Sequence, residues 1–270
     1  MEATTDAKST IDSLHGVPAF SAAHWAPGDR IELLSDTGDL HWVNLEGTQG
    51  AGTVTGIIPR GPMDTNRATV PTWSHDGASI VYVSTGGGIQ DGRPSGGPMD
   101  LYLVHYNNKA GNDALPISGA SDPNHNEYYP AFSPDDQWVA FNRVPGGDNV
   151  YNDSNAEVFV IPPHGGTPLR IDANDPPACT QKSSPGVTNS WPKWAPSVAK
   201  AGTRTFYWLV FSSTRGPGNN PQLYITPIVA DGHGNVQTYR ALYLWNQPAG
   251  ENNHTPAWDV FAIPPVPPPP

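Results

Sequence analysis

The sequence predicts an all-β fold, specifically a β-propeller of four-stranded antiparallel blades. The first observation is the composition. With 28 Gly and 31 Pro among 270 residues, the chain suits short strands joined by many turns and disfavours long helices. The second is a motif that returns at intervals of roughly 50–65 residues, and repeats of that length with several strands each are typical of propeller blades.

The clearest copy of the motif is the stretch Tyr129–Phe141. Pro130 favours an extended segment because its ring fixes φ. The residues Ser133-Pro134-Asp135-Asp136 form a turn sequence, since Pro presets one dihedral angle and Asp side chains bond the local backbone. The residues that follow, up to Phe141, alternate as a half-buried strand does. The motif therefore predicts a strand, a tight turn and a second strand.

Each copy carries one aromatic residue at the same place. These residues are Trp25, Trp73, Phe132, Trp194 and Trp258. We expect the last four to be buried, each on the innermost strand of its blade. A short apolar strand with a polar first residue follows most copies, at 39–43, 100–104, 157–161 and 222–225.

These residues carry a resemblance to a known family. The pattern Pro-x-Trp/Phe-Ser-x-Asp-Gly, followed by an apolar strand and Asp-Leu-Tyr-Val, resembles the WD-like propeller repeat of the TolB family. It is also similar to the propellers of prolyl-oligopeptidase relatives, and the likeness covers residues 17–261. It implies a β-propeller that serves as a docking platform, and by itself it implies no activity.

The repeats divide the chain into a lead-in at 1–16, a propeller domain at 17–263 and a proline-rich tail at 264–270. Within the domain, the repeats fall at 17–66, 67–126, 127–187 and 188–250, with a partial fifth repeat at 251–263. Two arrangements stay open. The chain closes on itself as four or five blades, or it is part of a larger propeller with further blades upstream.

Charge and composition exclude some classes of partner. The net charge of −11 disfavours nucleic acid, because its binding depends on neutralising phosphates with Lys and Arg. No apolar run is long enough to span a bilayer, so we expect no membrane insertion. Residues 1–13 lack the apolar core of a signal peptide. The family resemblance nevertheless implies a periplasmic, extracellular or cell-surface protein whose signal peptide is not present in this chain.

The segments that lead into the innermost strands are the candidate binding site. In a propeller, equivalent segments converge at one end of the central axis, and three of them here are rich in the amide and aromatic side chains of ligand pockets. The predicted ligand- or partner-binding residues are His125, Asn126, Glu127, Tyr128, Asn189, Ser190, Trp191, Asn252, Asn253 and His254. The alternative is that they are ordinary turn and strand residues that satisfy backbone groups.

An acidic loop at 148–157 is a candidate calcium site. Asp148, Asp153 and Glu157 offer the oxygen ligands that calcium prefers, although their spacing is not that of an EF-hand. The alternative is a solvated loop between two strands. We predict no other cofactor.

The sequence shows neither a Gly-x-Ser-x-Gly elbow nor a His-Glu-x-x-His zinc motif. Cys179 is the only cysteine, so no intrachain disulfide can form. We therefore predict a non-enzymatic protein-binding scaffold of the bacterial cell envelope, with a protein as partner. The alternative is a propeller that binds carbohydrate or another small ligand through Trp191 and Tyr128, or the propeller part of a hydrolase.

Overall fold

The computed structural model describes residues 24–26, 29–34, 38–44, 55–90, 92–150, 152–248 and 250–258. The predicted lead-in, the proline-rich tail and the side chain of Trp25 lie outside the described residues. The described part of the chain is all-β, with short 3-10 turns at Asp172–Asn174, Ala178–Thr180 and Pro217–Asn219. In that part, no helix has the length and apolar character needed to cross a membrane.

The chain forms two compact units. The first runs to Pro130 and includes Val144–Tyr151 and His164–Gly166. The second comprises Ala131–Arg143, Asn152–Pro163 and the chain from Thr167 onward. The division into repeats and the closure of a propeller stay predictions.

The first two sheets each have four strands. The first sheet runs in sequential order through β1 (His24–Ala26), β2 (Asp29–Leu34), β3 (His41–Asn44) and β4 (Thr55–Ile57). The second has the order β10-β9-β6-β5, and a separate ribbon of β7 and β8 lies between β6 and β9 in sequence. Their bounds are β5 (Arg67–Trp73), β6 (Ser79–Thr85), β7 (Gly88–Gln90), β8 (Arg93–Ser95), β9 (Met99–His105) and β10 (Leu115–Pro116).

The third sheet has the order β11-β12-β13-β14, with β11 (His125–Phe132), β12 (Val139–Pro145), β13 (Glu157–Ile161) and β14 (Leu169–Arg170). The fourth has the main order β15-β17-β18-β19; β16 pairs with β17, and β20 pairs with β18. Its strands are β15 (Asn189–Trp194), β16 (Ala199–Ala201), β17 (Arg204–Ser213), β18 (Gln222–Ala230), β19 (Val236–Thr238) and β20 (Leu242–Tyr243). The predicted all-β class is confirmed.

The turn after β5 shows why the motif contains serine and aspartate. Ser74 donates its hydroxyl to Asp76 Oδ1 at 2.6 Å, and the same Asp76 oxygen accepts the amide of Ala78 at 2.9 Å. Gly77 sits at a φ of 71°, a left-handed conformation that glycine adopts without steric cost. At this turn a side chain therefore accepts the hydrogen bond of a backbone amide that has no partner on a neighbouring strand.

The turn after β11 repeats this arrangement. Ser133 donates to Asp135 Oδ1 at 2.9 Å, and the Ser133 hydroxyl accepts the amide of Trp138 at 3.0 Å. Asp136 takes the left-handed position with a φ of 57°. In both units, the predicted strand-turn-strand motif therefore depends on hydrogen bonds that Ser and Asp side chains make within the turn.

A second repeated feature bends the first strands. Val70, Tyr129 and Trp191 each have a positive φ, of 48°, 53° and 58°, and each directly precedes a proline. In β5 and β15 the pairing register shifts at this point, as it does at a β-bulge. A β-branched residue such as Val70 adopts this conformation only under strain, so the packing around it must hold it in place.

The core of the second unit packs around Trp194. This side chain is 7% exposed, donates Nε1–H to the carbonyl of Ala131 at 2.9 Å and meets the Tyr207 ring edge-on at 5.8 Å. Trp73 and Phe132 are buried as predicted. The prediction for Trp258 is wrong, because it is 37% exposed and lies in no strand. The residues around it, 250–258, make no sheet pairing that could bury it.

We expect Trp194→Ala to lower the free energy of unfolding by about 3–5 kcal/mol, because a large side chain leaves a cavity in a packed core. The matched control is Trp245→Ala at a side chain that is 84% exposed, which should change stability by less than about 0.5 kcal/mol. Urea unfolding followed by circular dichroism measures both. Equal effects of the two substitutions would contradict the assigned core.

Candidate functional site

The predicted site residues of the first unit are mostly buried. His125 shares a hydrogen bond between Nδ1 and Asp122 Oδ2 at 2.9 Å and is partly exposed. Asn126 is 2% exposed and donates Nδ2–H to the carbonyl of Asp148 at 3.3 Å. Glu127 and Tyr128 are fully buried. In this unit the predicted residues therefore lie largely within the fold.

In the second unit, Asn142 of β12 connects to the predicted residues of β15. Its Nδ2 donates to the carbonyl of Asn189 at 2.6 Å, and its Oδ1 accepts the Trp191 amide at 3.1 Å and the Ser190 hydroxyl at 3.4 Å. Asn142, Asn189 and Ser190 are buried. These bonds stabilise the bulge at Trp191, so the side-chain amide of Asn142 satisfies backbone groups of β15.

The residues near the end of the described chain reach back to the same region. Asn253 donates its amide to the carbonyl of Pro221 at 2.9 Å, and His254 Nε2 forms a hydrogen bond with Asn152 Oδ1. The His254 ring meets the Trp191 ring edge-on at 5.9 Å. Asn252 is exposed. The binding role of the predicted residues in both units stays a prediction.

Two acidic side chains of the loop at 148–157 form hydrogen bonds with other residues of the chain. Glu157 accepts Nη2–H of Arg170 at 2.6 Å and the hydroxyl of Ser184 at 2.6 Å. Asp153 Oδ1 accepts the amide of Asn155 at 2.7 Å. Among the residues that the structure describes, no three His, Cys, Asp or Glu side chains are grouped so that they could hold a metal ion. Calcium binding by Asp148, Asp153 and Glu157 stays a prediction.

A cavity of about 480 Å³ lies in the second unit, beyond the end of β17. Its wall combines cationic, aromatic and small side chains. The lining residues are Pro177, Cys179, Thr180, Lys182, Arg215, Gly216, Tyr224, Ala241 and Tyr243. The volume is in the range of small-ligand pockets, and the wall has their usual make-up of apolar surface with a few polar groups.

Arg215 is held in the cavity wall by neutral oxygen atoms. It is 2% exposed, and its Nη2 donates to Asn189 Oδ1 at 2.6 Å and to the carbonyls of Ala173 at 2.7 Å and Asn174 at 3.2 Å. Its Nε donates to the Ser213 hydroxyl at 2.9 Å. The predicted site residue Asn189 therefore supports the cavity by positioning an arginine.

Aromatic rings complete the surroundings of the guanidinium. Its Cζ lies 4.8 Å from the centroid of the Tyr224 ring and 5.2 Å from that of Phe211, so both rings are within cation–π range. Burial lowers the pKa of Arg215 to about 10, which leaves it charged at neutral pH. Burial also raises the pKa of Tyr224. The site therefore holds a cation beside a neutral phenol.

Lys182 contributes the second positive charge of the wall. Its Nζ donates to the carbonyls of Thr214 at 2.9 Å and Gly216 at 2.8 Å and to Asn219 Oδ1 at 2.8 Å. These bonds fix the loop after β17 on which Arg215 lies. The cavity lining thus carries two cations and no carboxylate, in a chain whose net charge is −11.

Sequence reasoning missed Arg215 and Lys182. The available signal was the run Phe211-Ser212-Ser213-Thr214-Arg215, in which an arginine directly follows an apolar strand with no acidic residue near it in sequence. The sequence predicts Tyr224 only as a residue of the apolar strand at 222–225. The contacts that bring these residues together span tens of residues, so no local pattern reveals them.

Comparison with known proteins describes the fold more than the site. No family model and no curated protein sequence matches the chain. An oligogalacturonate lyase in complex with manganese is similar in structure, with a TM-score of 0.46 and 15% identity over 82% of this chain. The match covers 53% of that lyase, so the chain spans about half its length.

Two further solved structures are enzymes as well. The first is an endo-1,4-β-xylanase from Bacteroides thetaiotaomicron, with a TM-score of 0.43 and 9% identity; the match covers 82% of this chain and 77% of the xylanase. The second is a GH43_1 enzyme from Xanthomonas citri, with a TM-score of 0.38 and 16% identity; the match covers 83% of this chain and 73% of that enzyme. The solved structures that are similar to this chain include propeller-type proteins. At these scores the likeness assigns neither substrate nor chemistry to this chain.

The prediction of a non-enzymatic protein-binding scaffold is corrected by this comparison. The similar structures are mostly enzymes, which stands against a non-enzymatic scaffold. The alternative given above was a propeller that binds carbohydrate or another small ligand, or the propeller part of a hydrolase. The sequence led to the scaffold because it shows no local catalytic motif, whereas residues of a propeller site come from distant repeats.

We expect Asn189→Ala to lower the free energy of unfolding by about 2–3 kcal/mol, because it leaves the buried Arg215 short of a further partner. The matched control is Asn252→Ala, which removes an exposed amide from the same predicted set and should cost less than about 0.5 kcal/mol. Chemical denaturation measures both. An Asn189 variant as stable as the parent would contradict the positioning role.

Proposed function

We propose that the four sheets are blades of a β-propeller and that the chain binds a small ligand of the carbohydrate class. The observation that carries the binding proposal is the cavity of about 480 Å³ at Arg215, Lys182, Tyr224 and Tyr243. The propeller proposal is supported by the repeat and by its resemblance to the TolB family. The same resemblance supports a periplasmic or extracellular location.

The wall offers both kinds of contact that a sugar needs. The rings of Tyr224 and Tyr243 meet edge-on at 5.5 Å and supply apolar surface with polar hydroxyl tips. The charged side chains of Arg215 and Lys182 and the hydroxyl of Thr180 add polar groups to this wall. These groups can recognise a ligand, and we therefore propose binding.

Cys179 provides a direct readout of occupancy. It is exposed, it lines the cavity and it is the only thiol of the chain. We expect at least one of glucose, galactose, mannose and their uronic acids, at millimolar concentration, to slow the reaction of Cys179 with a chromogenic disulfide. A bound ligand would cover the thiol and reduce its access to the reagent.

Two matched variants test the location. Ala241→Trp would fill the cavity and should abolish protection, while Ala201→Trp on the exposed strand β16 should keep it. If none of the sugars protects the thiol of the parent protein, the proposed function fails. Protection that survives in Ala241→Trp would place the ligand elsewhere.

A further inference from the structure

The cavity at Arg215, here the first cavity, shares walls with two others. The second cavity has a volume of about 500 Å³ and the third of about 480 Å³, and Lys182 lines all three. The first and second cavities also share Pro177, and the second and third share Ser183. All of the lining residues belong to the second unit. The three cavities therefore adjoin one another along the segment 175–187.

The shared walls lie at the surface of the unit. Pro177 and Ser183 are exposed, and each of the three cavities opens to solvent. A ligand that extends beyond the first cavity therefore meets the second cavity over Pro177 and the third over Ser183. Such a ligand would be held at several points along its length.

Hydrogen bonds hold the segment between the cavities in place. The bonds of Lys182 to the loop after β17 anchor it on one side. On another side, Nη1 of Arg240 donates to the carbonyl of Pro176 at 3.2 Å, and the hydroxyl of Ser184 donates to Glu157 at 2.6 Å. A wall that is already ordered loses less conformational entropy when a ligand binds, which favours binding.

The chemical make-up of the walls changes from one cavity to the next. The first cavity has the rings of Tyr224 and Tyr243, whereas the third has the side-chain amides of Gln181 and Asn219 and the hydroxyl of Thr214. Amides and hydroxyls both donate and accept hydrogen bonds, as sugar hydroxyls do. The rings offer apolar surface with polar tips. A chain of sugar units presents both kinds of partner along its length.

We propose that the ligand is an oligosaccharide and that its successive units occupy the first cavity and the two cavities that adjoin it. The inference rests on the proposed function, because the first cavity must bind a sugar. It goes beyond that function by naming the length of the ligand and by assigning two further binding sites to the same molecule.

The length of the sugar chain tests the inference. Protection of Cys179 is measured on the whole chain with glucose, galactose, mannose and galacturonate, each against its 1,4-linked trimer. We expect at least one trimer to reach half-maximal protection at a concentration at least about tenfold lower than its monosaccharide, because the second and third cavities add contacts. A trimer offers three units to one site, so statistics alone would give at most about threefold.

Two variants locate the effect. Ala178 is exposed and lines the second cavity, so Ala178→Trp would fill that cavity, and trimer and monosaccharide should then differ by no more than about threefold. Ser183→Trp, on the wall that the second and third cavities share, should have the same result. The matched control is Ala201→Trp on the exposed strand β16, which should keep a difference of about tenfold.

The outcomes separate this inference from the proposed function. If monosaccharides protect Cys179 and no trimer exceeds the statistical gain of about threefold, the inference is overturned and binding of a single sugar stands. A larger gain that persists in both Ala178→Trp and Ser183→Trp also overturns it, because the rest of the ligand then lies elsewhere. If no monosaccharide protects Cys179, the proposed function fails, and the inference fails with it.

Discussion

The second unit depends on a buried arginine, Arg215, whose hydrogen bonds to the described residues all go to neutral oxygens. Taking a guanidinium out of water is costly unless hydrogen bonds and charge compensate it. Here three carbonyl or amide oxygens, one hydroxyl and two aromatic rings surround Arg215. They come from β15, β17, β18 and the turn Asp172–Asn174, so the placement of one side chain requires four separate segments to be correctly positioned.

The strand that carries Asn189 illustrates how such placement is achieved. β15 has a bulge after Ser190, with Trp191 in a left-handed conformation before Pro192. Asn142 binds both sides of this bulge and so determines where β15 bends. The same combination of a left-handed residue and a proline occurs at Val70 and Tyr129. A strained conformation repeated at equivalent positions indicates that the sheets need this bend.

Local features of the fold could be predicted from the sequence, because they depend on neighbouring residues. The turn at Ser133–Asp136 follows from side chains that bond the adjacent backbone, and Trp194 is buried because it lies on a strand with an apolar face. Trp258 has the same local signature but lacks a partner strand in the described chain. Burial is therefore decided by pairing as well as by the motif.

None of the residues that line the cavity is among the site residues predicted from the sequence. Asn189 is predicted to bind a ligand or partner, and that role stays a prediction; in the structure its side chain accepts a hydrogen bond from Arg215, which lies 26 positions further along the chain. Lys182 reaches the carbonyl of Thr214 across 32 positions. Contacts at such separations depend on how the strands of the sheet are ordered. A repeat pattern predicts that the sheet exists, but it does not predict which polar side chains the sheet brings together.

The central claim is that the cavity lined by Arg215, Tyr224 and Tyr243 binds the proposed small ligand. The most direct measurement is the ¹⁵N spectrum of the arginine side chains, recorded with and without D-glucuronate at concentrations that protect Cys179. The account predicts that the side-chain resonances of Arg215 shift, because a ligand in the cavity changes the surroundings of the guanidinium. An Arg215 spectrum that stays unchanged while Cys179 is protected would contradict it.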